Sequence, residues 1–278
     1  MELDAAVRTS THSRVVRKGQ RIQSLWRGYG EVVRYHLEAG QSVVVKHVRP
    51  PAGAHPRKLR SYAVEAAWYT HHAARLPSVT RVPRLFGTHS DGHHRVFVLE
   101  DLHAAGFNRS LRPLDPARIR AVLDWLAGLH ATFIGPVPDN LWPVGTYWHL
   151  QTRLAELKAT PERRWHTRGP ELDALLRNAR FQTVVHGDAK PANFLWDPRA
   201  RAVAGVDFQY VGGGVGIRDV VYFLDVDADS PWLDHYFGAL RSMLPHHIDA
   251  DALEAEWRSL IPVAAEDFDR FMAGWGRA

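Results

Sequence analysis

The feature that most constrains the fold is a run of polar residues in VVHGDAKPANFLW, at positions 184–196. Four of them, a His, an Asp, a Lys and an Asn, fall within eight residues, between apolar flanks that are typical of buried strands. A second apolar segment, AVAGVDF at 202–208, predicts the next strand and carries Asp207 near its end. A turn at Pro198 would pair the two strands as a hairpin and bring the polar residues of both segments to one place.

This set of side chains suits phosphoryl transfer. That reaction requires positioning, a carboxylate near the attacking hydroxyl and oxygen ligands for Mg²⁺. Mg²⁺ prefers hard oxygen donors and usually takes one or two carboxylates together with phosphate and water. Asn193 and Asp207 are donors of this kind, and Asp188 remains as a base. The alternative is a polar turn with unrelated acidic residues nearby.

The order H-G-D-x-x-x-x-N, followed by D-F-Q, resembles the protein-kinase-like superfamily in its small-molecule phosphotransferase branch, which includes aminoglycoside phosphotransferases, choline kinases and ecdysteroid-kinase-like proteins. The resemblance implies that Asp188 is the catalytic base and that Asn193 and Asp207 bind Mg²⁺. It also implies that His186 supports the loop. Asp219, in GIRDVVYFL, matches the buried aspartate that holds the catalytic loop through backbone hydrogen bonds.

The N-terminal part of the chain extends the resemblance to ATP binding. Lys46, in VVVKHV, matches the lysine that contacts the α- and β-phosphates, and Glu65 matches its ion-pair partner. A surface ion pair between a strand and a helix is the alternative for these two residues.

Two further segments match the nucleotide site. Gly28 and Gly30, in WRGYGEV, correspond to the phosphate-covering loop, although the third glycine of that motif is missing. An ordinary hairpin turn is the alternative for both glycines. Glu100 and Leu102 lie where the hinge between the lobes would meet the adenine.

Lys190 has two interpretations. As a catalytic residue it would place a positive charge at the γ-phosphate, where charge develops in the transition state. D-x-K-P-x-N is the spacing of serine/threonine protein kinases, and many small-molecule members differ here. The alternative is an exposed loop lysine.

The interval between Asp207 and Asp219 contains only eleven residues. Protein kinases fit an activation segment and a peptide-docking motif into this interval, and here there is no room for them. We therefore expect a small-molecule hydroxyl acceptor. D-F-Q followed by GGGVGIRDVVYFL looks most like the ecdysteroid-kinase-like proteins. A degenerate fold that binds only nucleotide, and a protein kinase, are the alternatives.

The fold class that follows is α+β, a two-lobed protein-kinase-like fold with a small lobe of a five-stranded antiparallel sheet plus one helix. We expect the small lobe in residues 1–100, a hinge in 101–103 and a mainly helical large lobe in 104–278. Periodicity predicts strands at 31–38 and 42–49 and helices at 59–76, 116–133, 146–158 and 170–180. VGGGVG at 211–216 predicts a flexible or tightly turning loop, and helices broken at Pro231, Pro245 and Pro262 follow it.

Charge is distributed unevenly along the chain. Residues 1–100 carry 16 Lys and Arg against 7 Asp and Glu, whereas the remainder carries 19 against 23. Because no basic stripe is interleaved with aromatics, we expect no nucleic-acid partner. No apolar run approaches a membrane span, and there is no cysteine and no secretory signal, so we expect a cytoplasmic protein with no membrane partner. The oligomeric state is left open.

The region 225–269 contains 11 Asp and Glu residues, and Asp225, Asp227 and Asp229 alternate within it. Asp suits helix N-termini, which is one explanation. The other is a patch that attracts a cationic substrate. A calcium loop is excluded, because the sixth position is Ser230 and the twelfth is Tyr236.

Overall fold

The structure, a computed structural model, describes residues 2–92, 94–224, 226–227 and 229–277, with only the backbone of Ala39. Asp225, which the acidic pattern singles out, lies outside these residues.

A five-stranded antiparallel sheet dominates the first hundred residues. Its spatial order is β1-β2-β3-β5-β4. The strands are β1 Val16–Ser24, β2 Gly30–Leu37, β3 Ser42–Val48, β4 Leu85–Asp91 and β5 His94–Glu100. Successive side chains of a strand point to opposite faces. Val43 and Val45 of β3 are therefore buried with β5 on one face, while Lys46 points to the other face, toward the large lobe.

Two helices cover this sheet. Helix α2, Pro56–Ala67, follows β3, as predicted, and continues as a π-helical turn over Trp68–His72. Helix α1, Leu3–Thr11, was not predicted, and it packs Ala6 and Val7 against the opposite face of the sheet. The short, polar sequence LDAAVRTST gives a weak helical signal in isolation, so packing on the sheet decides its conformation.

The large lobe is mainly helical. Its helices are α3 Pro116–Thr132, α4 Leu154–Ala159, α5 Arg164–Arg177, α6 Ile217–Leu224, α7 Pro231–Met243, α8 Ala250–Ser259 and α9 Ile261–Gly274. Asp115 caps α3 by accepting hydrogen bonds from the N–H groups of Ala117 and Arg118. Within the described ranges, no helix has both the length and the apolar character that crossing a membrane requires.

Two small sheets lie between the five-stranded sheet and the helices. One has the order β6-β8-β9 and the other pairs β7 with β10. Their strands are β6 Arg109–Ser110, β7 Thr183–Val185, β8 Phe194–Asp197, β9 Ala202–Gly205 and β10 Gly212–Gly214. The hairpin of β8 and β9 is the one predicted around Pro198, and the polar residues of the opening motif directly precede its first strand.

The glycine run was predicted wrongly as a flexible or turning loop. Gly212–Gly214 forms a buried strand, β10, paired antiparallel with β7. A Cβ atom on Gly212 would lie 2.2 Å from the carbonyl oxygen of Trp142, and one on Gly213 would lie 2.5 Å from that of Pro143. These glycines therefore allow a close approach of backbones, which composition alone does not distinguish from flexibility.

Two helix predictions need correction, whereas the helices are interrupted near Pro231, Pro245 and Pro262 as predicted. The pattern at 146–158 yields only a short 3₁₀ turn, Leu150–Thr152, followed by α4. Helix α5 begins at Arg164, so Pro170 lies inside it, although proline usually marks a helix start. Pro231 and Pro262 lie in the first turns of α7 and α9 and therefore begin these helices. The α+β fold with a five-stranded antiparallel sheet is confirmed.

Candidate active site

The segment His186-Gly187-Asp188 connects β7 to the turn before β8, and α6 holds it in place. The buried carboxylate of Asp219 accepts a hydrogen bond from the backbone N–H of His186 at 2.6 Å and another from that of Gly187 at 3.0 Å. Gly187 has a φ of +77°, and a Cβ atom there would lie 2.3 Å from the carbonyl oxygen of Tyr210. Only glycine fits this position.

His186 links this loop to the strand that leads to Asp207. The ring is fully buried and packs against Phe194 and Phe208. Its Nε2 lies 3.1 Å from the carbonyl oxygen of Val206, and its Nδ1 accepts from the N–H of Asp188 at 3.2 Å. These two contacts fit the tautomer with the proton on Nε2. They hold the loop against the backbone of Val206.

Asp188 is buried, and both of its carboxylate oxygens are held. Oδ2 accepts hydrogen bonds from Lys190 Nζ at 2.7 Å and from Asn193 Nδ2 at 3.0 Å. Oδ1 accepts a longer bond, 3.3 Å, from the hydroxyl of Tyr222. Burial raises the pKa of Asp188 above its ordinary value, and the charge of Lys190 opposes that rise. The side chain is thus a preorganised carboxylate whose Oδ1 is the less tightly held oxygen.

The β8–β9 hairpin brings Asn193 and Asp207 together. The N–H of Val206 donates to the carbonyl oxygen of Asn193 at 2.9 Å, which sets the two side chains next to each other. Nδ2 of Asn193 donates hydrogen bonds to Asp188. Oδ1 of Asn193 accepts no hydrogen bond from the described residues. Asp207 has a φ of +68°, which is uncommon for a residue with a Cβ atom. Its Oδ1 accepts from Lys46 at 3.2 Å and from Gln209 at 2.8 Å.

Lys46 connects the two lobes through ion pairs. Its Nζ lies 2.8 and 2.7 Å from the two carboxylate oxygens of Glu65 on α2, in addition to the contact with Asp207. Burial opposes the charged form of this lysine, but Asp207 and Glu65 outweigh it and raise its pKa. Burial likewise acts to raise the pKa of Asp207, and the attraction of Lys46 outweighs it, so that this pKa is lowered. Lys46 and Asp207 are therefore both charged at neutral pH.

A cavity of about 570 Å³ lies between the sheet and the large lobe, with Lys46, Glu65 and Asp207 in its wall. Apolar residues from both lobes line one part of it: Val32, Val44, Leu99, Phe194, Leu195 and Val206. Polar residues, among them Arg34, Asn108 and Arg109, line another part. Its volume and its mixture of apolar walls with a few convergent polar groups are typical of a site for a small molecule or cofactor.

The family can now be assigned. The sequence model of the phosphotransferase enzyme family matches residues 21–257. The chain belongs to this family. No curated protein matches the sequence significantly.

Two solved structures show the same kinase fold. An amicoumacin kinase, in complex with AMP-PNP, Ca²⁺ and Ami, superposes with a TM-score of 0.63 at 14% identity and covers 98% of this chain and 85% of that chain. A macrolide 2′-phosphotransferase from Brachybacterium faecium, an apoenzyme, gives a TM-score of 0.51 at 16% identity and covers 99% of this chain and 98% of that chain. The resemblance to the small-molecule branch of the protein-kinase-like superfamily is thereby confirmed, and the protein is a phosphotransferase with that fold.

The residues predicted for the hinge line the cavity, but the side chain of Glu100 is engaged elsewhere. Its carboxylate pairs with Arg81 and accepts a hydrogen bond from the backbone N–H of Arg84 at 3.0 Å. Contact of Glu100 and Leu102 with a nucleotide stays a prediction. Asp101 anchors the hinge, because its buried carboxylate accepts hydrogen bonds from Arg34 and Ser42.

The structure does not bring Gly28 and Gly30 to this cavity, since neither is among its lining residues. Gly28 has a φ of +72° in a short turn, with no atom within 4 Å of where its Cβ would lie. Gly30 lies in β2, where a Cβ atom would be 1.9 Å from the carbonyl oxygen of His47. Strand packing accounts for Gly30, and the phosphate-covering role of the two glycines stays a prediction.

Two residues near Asp188 were missed in the sequence. Tyr222 lies three positions after Asp219 on α6 and so shares its helix face. This spacing indicates from the sequence that Tyr222 lies near the loop that Asp219 holds. Tyr147 contacts Tyr222 through their hydroxyl groups at 3.4 Å. It lies in an irregular segment distant in sequence, and no local pattern indicates its position.

Proposed function

We propose that the protein transfers the γ-phosphoryl group of ATP to a hydroxyl group of a small molecule. The observation that carries this proposal is the position of Asp188. Its carboxylate is oriented by Lys190 and Asn193, next to the Lys46–Asp207 pair in the wall of a nucleotide-sized cavity. In this proposal residues 1–100 bind the nucleotide, residues 101–103 form the hinge and residues 104–278 carry the acceptor site.

ATP is the proposed donor because the cavity combines apolar walls with a lysine. The adenine would lie among the apolar side chains, against the backbone of Glu100 and Leu102. Lys46, positioned by Glu65, would contact the α- and β-phosphates, and Gly28 and Gly30 would cover the phosphates if the β1–β2 turn moves inward. The amicoumacin kinase of the same fold holds AMP-PNP and Ca²⁺, which supports a nucleotide and a divalent cation here.

The donor set fits Mg²⁺. Asn193 Oδ1 and Asp207 Oδ2 are hard oxygen atoms that accept no hydrogen bond from the described residues. Among those same residues no group of three or more His, Cys, Asp or Glu side chains could hold a metal by itself. Such a sparse protein set suits Mg²⁺, which keeps waters and binds substrate phosphates. When bound, Mg²⁺ would neutralise charge on the transferring phosphate.

The remaining residues have the following roles in the proposed reaction. Asp188 accepts the proton of the acceptor hydroxyl while the oxygen of that hydroxyl forms a bond to the γ-phosphorus. The bond between this phosphorus and the β–γ bridging oxygen breaks, and ADP leaves. Lys190, whose side chain is 45% exposed, would reach from Asp188 to the γ-phosphate and neutralise charge there.

The segment between Asp207 and Asp219 supports a small-molecule acceptor over a protein acceptor. All eleven residues, 208–218, are buried, and they include the strand β10. A segment packed in this way offers no platform on which a peptide could be laid. We also propose a cytoplasmic location, since the chain has no cysteine.

The test measures ADP release with ATP, Mg²⁺ and a panel of hydroxyl compounds. Turnover in Asp188→Asn and in Asp207→Ala should fall at least about 100-fold, because each removes a group that acts on the reacting atoms. Asp251→Asn is the matched control, as it changes an exposed carboxylate on α8. ATP binding with no transfer to any compound would identify a nucleotide-binding module. Transfer to a generic protein substrate alone would identify a protein kinase.

A further inference from the structure

A second surface, rich in tyrosine, lies on the Oδ1 side of Asp188. On that side the hydroxyl of Tyr222 donates to Asp188 Oδ1 at 3.3 Å, and Tyr147 lies next to Tyr222 with its ring centroid at 5.8 Å. Neither tyrosine lines the nucleotide cavity. An acceptor hydroxyl would therefore reach Oδ1 from this side and take the place of the Tyr222 hydroxyl. We call this surface the acceptor face.

The acceptor face continues across both lobes as a row of aromatic rings. Tyr210 lies 6.0 Å from Tyr147, measured between ring centroids. Lys58 of α2 follows, with its Nζ 5.4 Å from the ring of Tyr210 and 5.4 Å from that of Trp26, in the turn between β1 and β2. The side of this face toward α9 ends at Trp275, 6.5 Å from Tyr147. Trp26 and Trp275 are 45% and 49% exposed, so that apolar ring area is open to a ligand.

Among the residues that the structure describes, the ionic groups of the acceptor face are mostly cations. Arg57 and Lys58 form no ion pair with any carboxylate of the described residues, and Nε of Arg57 is buried without a hydrogen-bond partner among them. Arg153 is neutralised by Glu156 at 2.8 Å. Asp188 itself is paired with Lys190. The face thus has an excess of positive charge, which repels a cationic ligand and attracts an anionic one.

The aromatic rings are also already paired with cations of the protein. Lys58 lies over Tyr210 and Trp26, and Arg153 lies over Tyr147 and Trp275, at 5.8 and 5.3 Å. A quaternary ammonium ligand binds by placing its charge over such ring faces. Here it would have to displace a tethered cation, so these rings do not form a cage for an amine.

We propose that the acceptor is a hydroxyl compound with a flat apolar body and no positive charge, and that an acidic group on it would lie near Arg57 and Lys58. This inference rests on the proposed function. The apolar body would lie along Tyr147 toward the exposed ring area of Trp26 or Trp275, and the hydroxyl would replace that of Tyr222 at Asp188. Of the two explanations for the acidic C-terminal region, a patch that recruits a cationic substrate is thereby disfavoured.

The experiment compares three ligands that share one skeleton. The full chain, loaded with a non-hydrolysable ATP analogue and Mg²⁺, is titrated with para-methylbenzyl alcohol, para-hydroxymethyl benzoate and para-aminomethyl benzyl alcohol, and dissociation constants are measured by NMR. The carboxylate compound should bind about tenfold or more tightly than the ammonium compound, with the neutral compound between them. Lys58→Met should reduce this ratio about three- to tenfold, because it removes one unpaired charge.

Lys158→Met is the matched control, since Lys158 is exposed on α4 and makes no ionic contact with the described residues. Arg57→Gln tests the same charge independently if Lys58→Met is unstable. The inference is overturned if the ammonium compound binds as tightly as the carboxylate, if the ratio is the same in Lys58→Met, or if neither the neutral nor the carboxylate compound binds at about 10 mM.

ADP release with the same three compounds separates this inference from the proposed function. Release that is fastest with the ammonium compound contradicts the acceptor class while transfer itself stands. The carboxylate compound could bind most tightly while no compound in a wider panel causes ADP release. That result contradicts the transfer activity, whereas the proposed class of bound compound stands.

Discussion

The contacts of Asp188 fit the proton transfer that we propose for this carboxylate. Two donors hold Oδ2 and one holds Oδ1, and the backbone that carries the residue is fixed in turn by Asp219. Burial favours the neutral carboxylic acid and thereby raises the basicity of the carboxylate, while Lys190 keeps it ionised. The balance between these two effects can be tested at Lys190.

Lys190→Ala should reduce turnover about 10- to 100-fold, with a change in the KM for ATP of less than about twofold. Lys190 opposes the rise in the pKa of Asp188, so its removal raises that pKa further. Because a base acts only when deprotonated, the acidic limb of the pH–rate profile should move to higher pH. The measurement is a pH profile of kcat, with Lys158→Ala as the control. An unchanged profile and turnover would show that Lys190 is only an exposed loop residue.

Gly187→Ala should destabilise the protein and disrupt the catalytic loop. The new Cβ atom would clash with the carbonyl oxygen of Tyr210, at a φ of +77°. Gly53 has the same φ of +77° with open space around it, so Gly53→Ala isolates the cost of the conformation. We expect the loss in unfolding free energy to exceed that of Gly53→Ala by about 1–3 kcal/mol, measured by urea denaturation. Equal losses would mean that the loop relaxes without cost.

Helix α9 lies beyond the family match, which ends at residue 257. It is nevertheless bound to the helix that supports the catalytic loop. Asp267 of α9 accepts hydrogen bonds from Arg218 on α6 at 2.8 Å and from Arg270 at 3.0 Å, and all three side chains are buried. Since Arg218 directly precedes Asp219, this network connects the C-terminal helix to the active site.

Asp267→Ala should therefore destabilise the protein strongly. It leaves the guanidinium groups of Arg218 and Arg270 buried without their carboxylate, which typically costs about 3–5 kcal/mol. Asp251→Ala on α8 is the control, because that side chain is 88% exposed. Thermal and urea unfolding measure the difference. A loss as small as that of the control would show that water replaces the carboxylate.

In the molecule as a whole, several polar contacts join the two lobes near the reacting groups, among them hydrogen bonds from Lys58 and Ser61 to Gln209. Lys46 binds Asp207 across the cleft, and Lys58 lies against Tyr210. A ligand that engages both lobes should then stabilise the fold as one unit.

ATP with Mg²⁺ should raise the midpoint of thermal unfolding more than ATP alone. At a ligand concentration of 100 times Kd the stabilisation amounts to about 2.7 kcal/mol. In Asp207→Ala the additional effect of Mg²⁺ should be lost, because one of the two oxygen donors is missing, whereas Asp251→Ala should keep it. The readout is a thermal scan without an acceptor, so it is independent of turnover. An equal effect of Mg²⁺ in both variants would place the metal elsewhere.

Local patterns in the chain predicted the elements and the candidate site residues that depend on near neighbours. His186, Asp188 and Asn193 fall within eight positions, and a short hairpin is sufficient to bring Asp207 beside them. The β-branched run at 42–49 likewise predicted β3, and the motif match assigned Lys46 within it. Patterns of this kind are local, so periodicity and motif spacing specify them.

Three other features depend on how distant parts of the chain pack together: the glycine strand, helix α1 and the acceptor face. Gly212–Gly214 is a strand because other backbones approach it closely, and α1 is helical because the sheet covers its apolar side. The acceptor face joins Trp26, Lys58, Tyr147 and Tyr222, which are far apart in the chain. Their proximity depends on how α2, α6 and the β1–β2 turn pack around Asp188. No local pattern encodes that packing, so the charge and shape offered to the acceptor emerge only when the lobes are assembled.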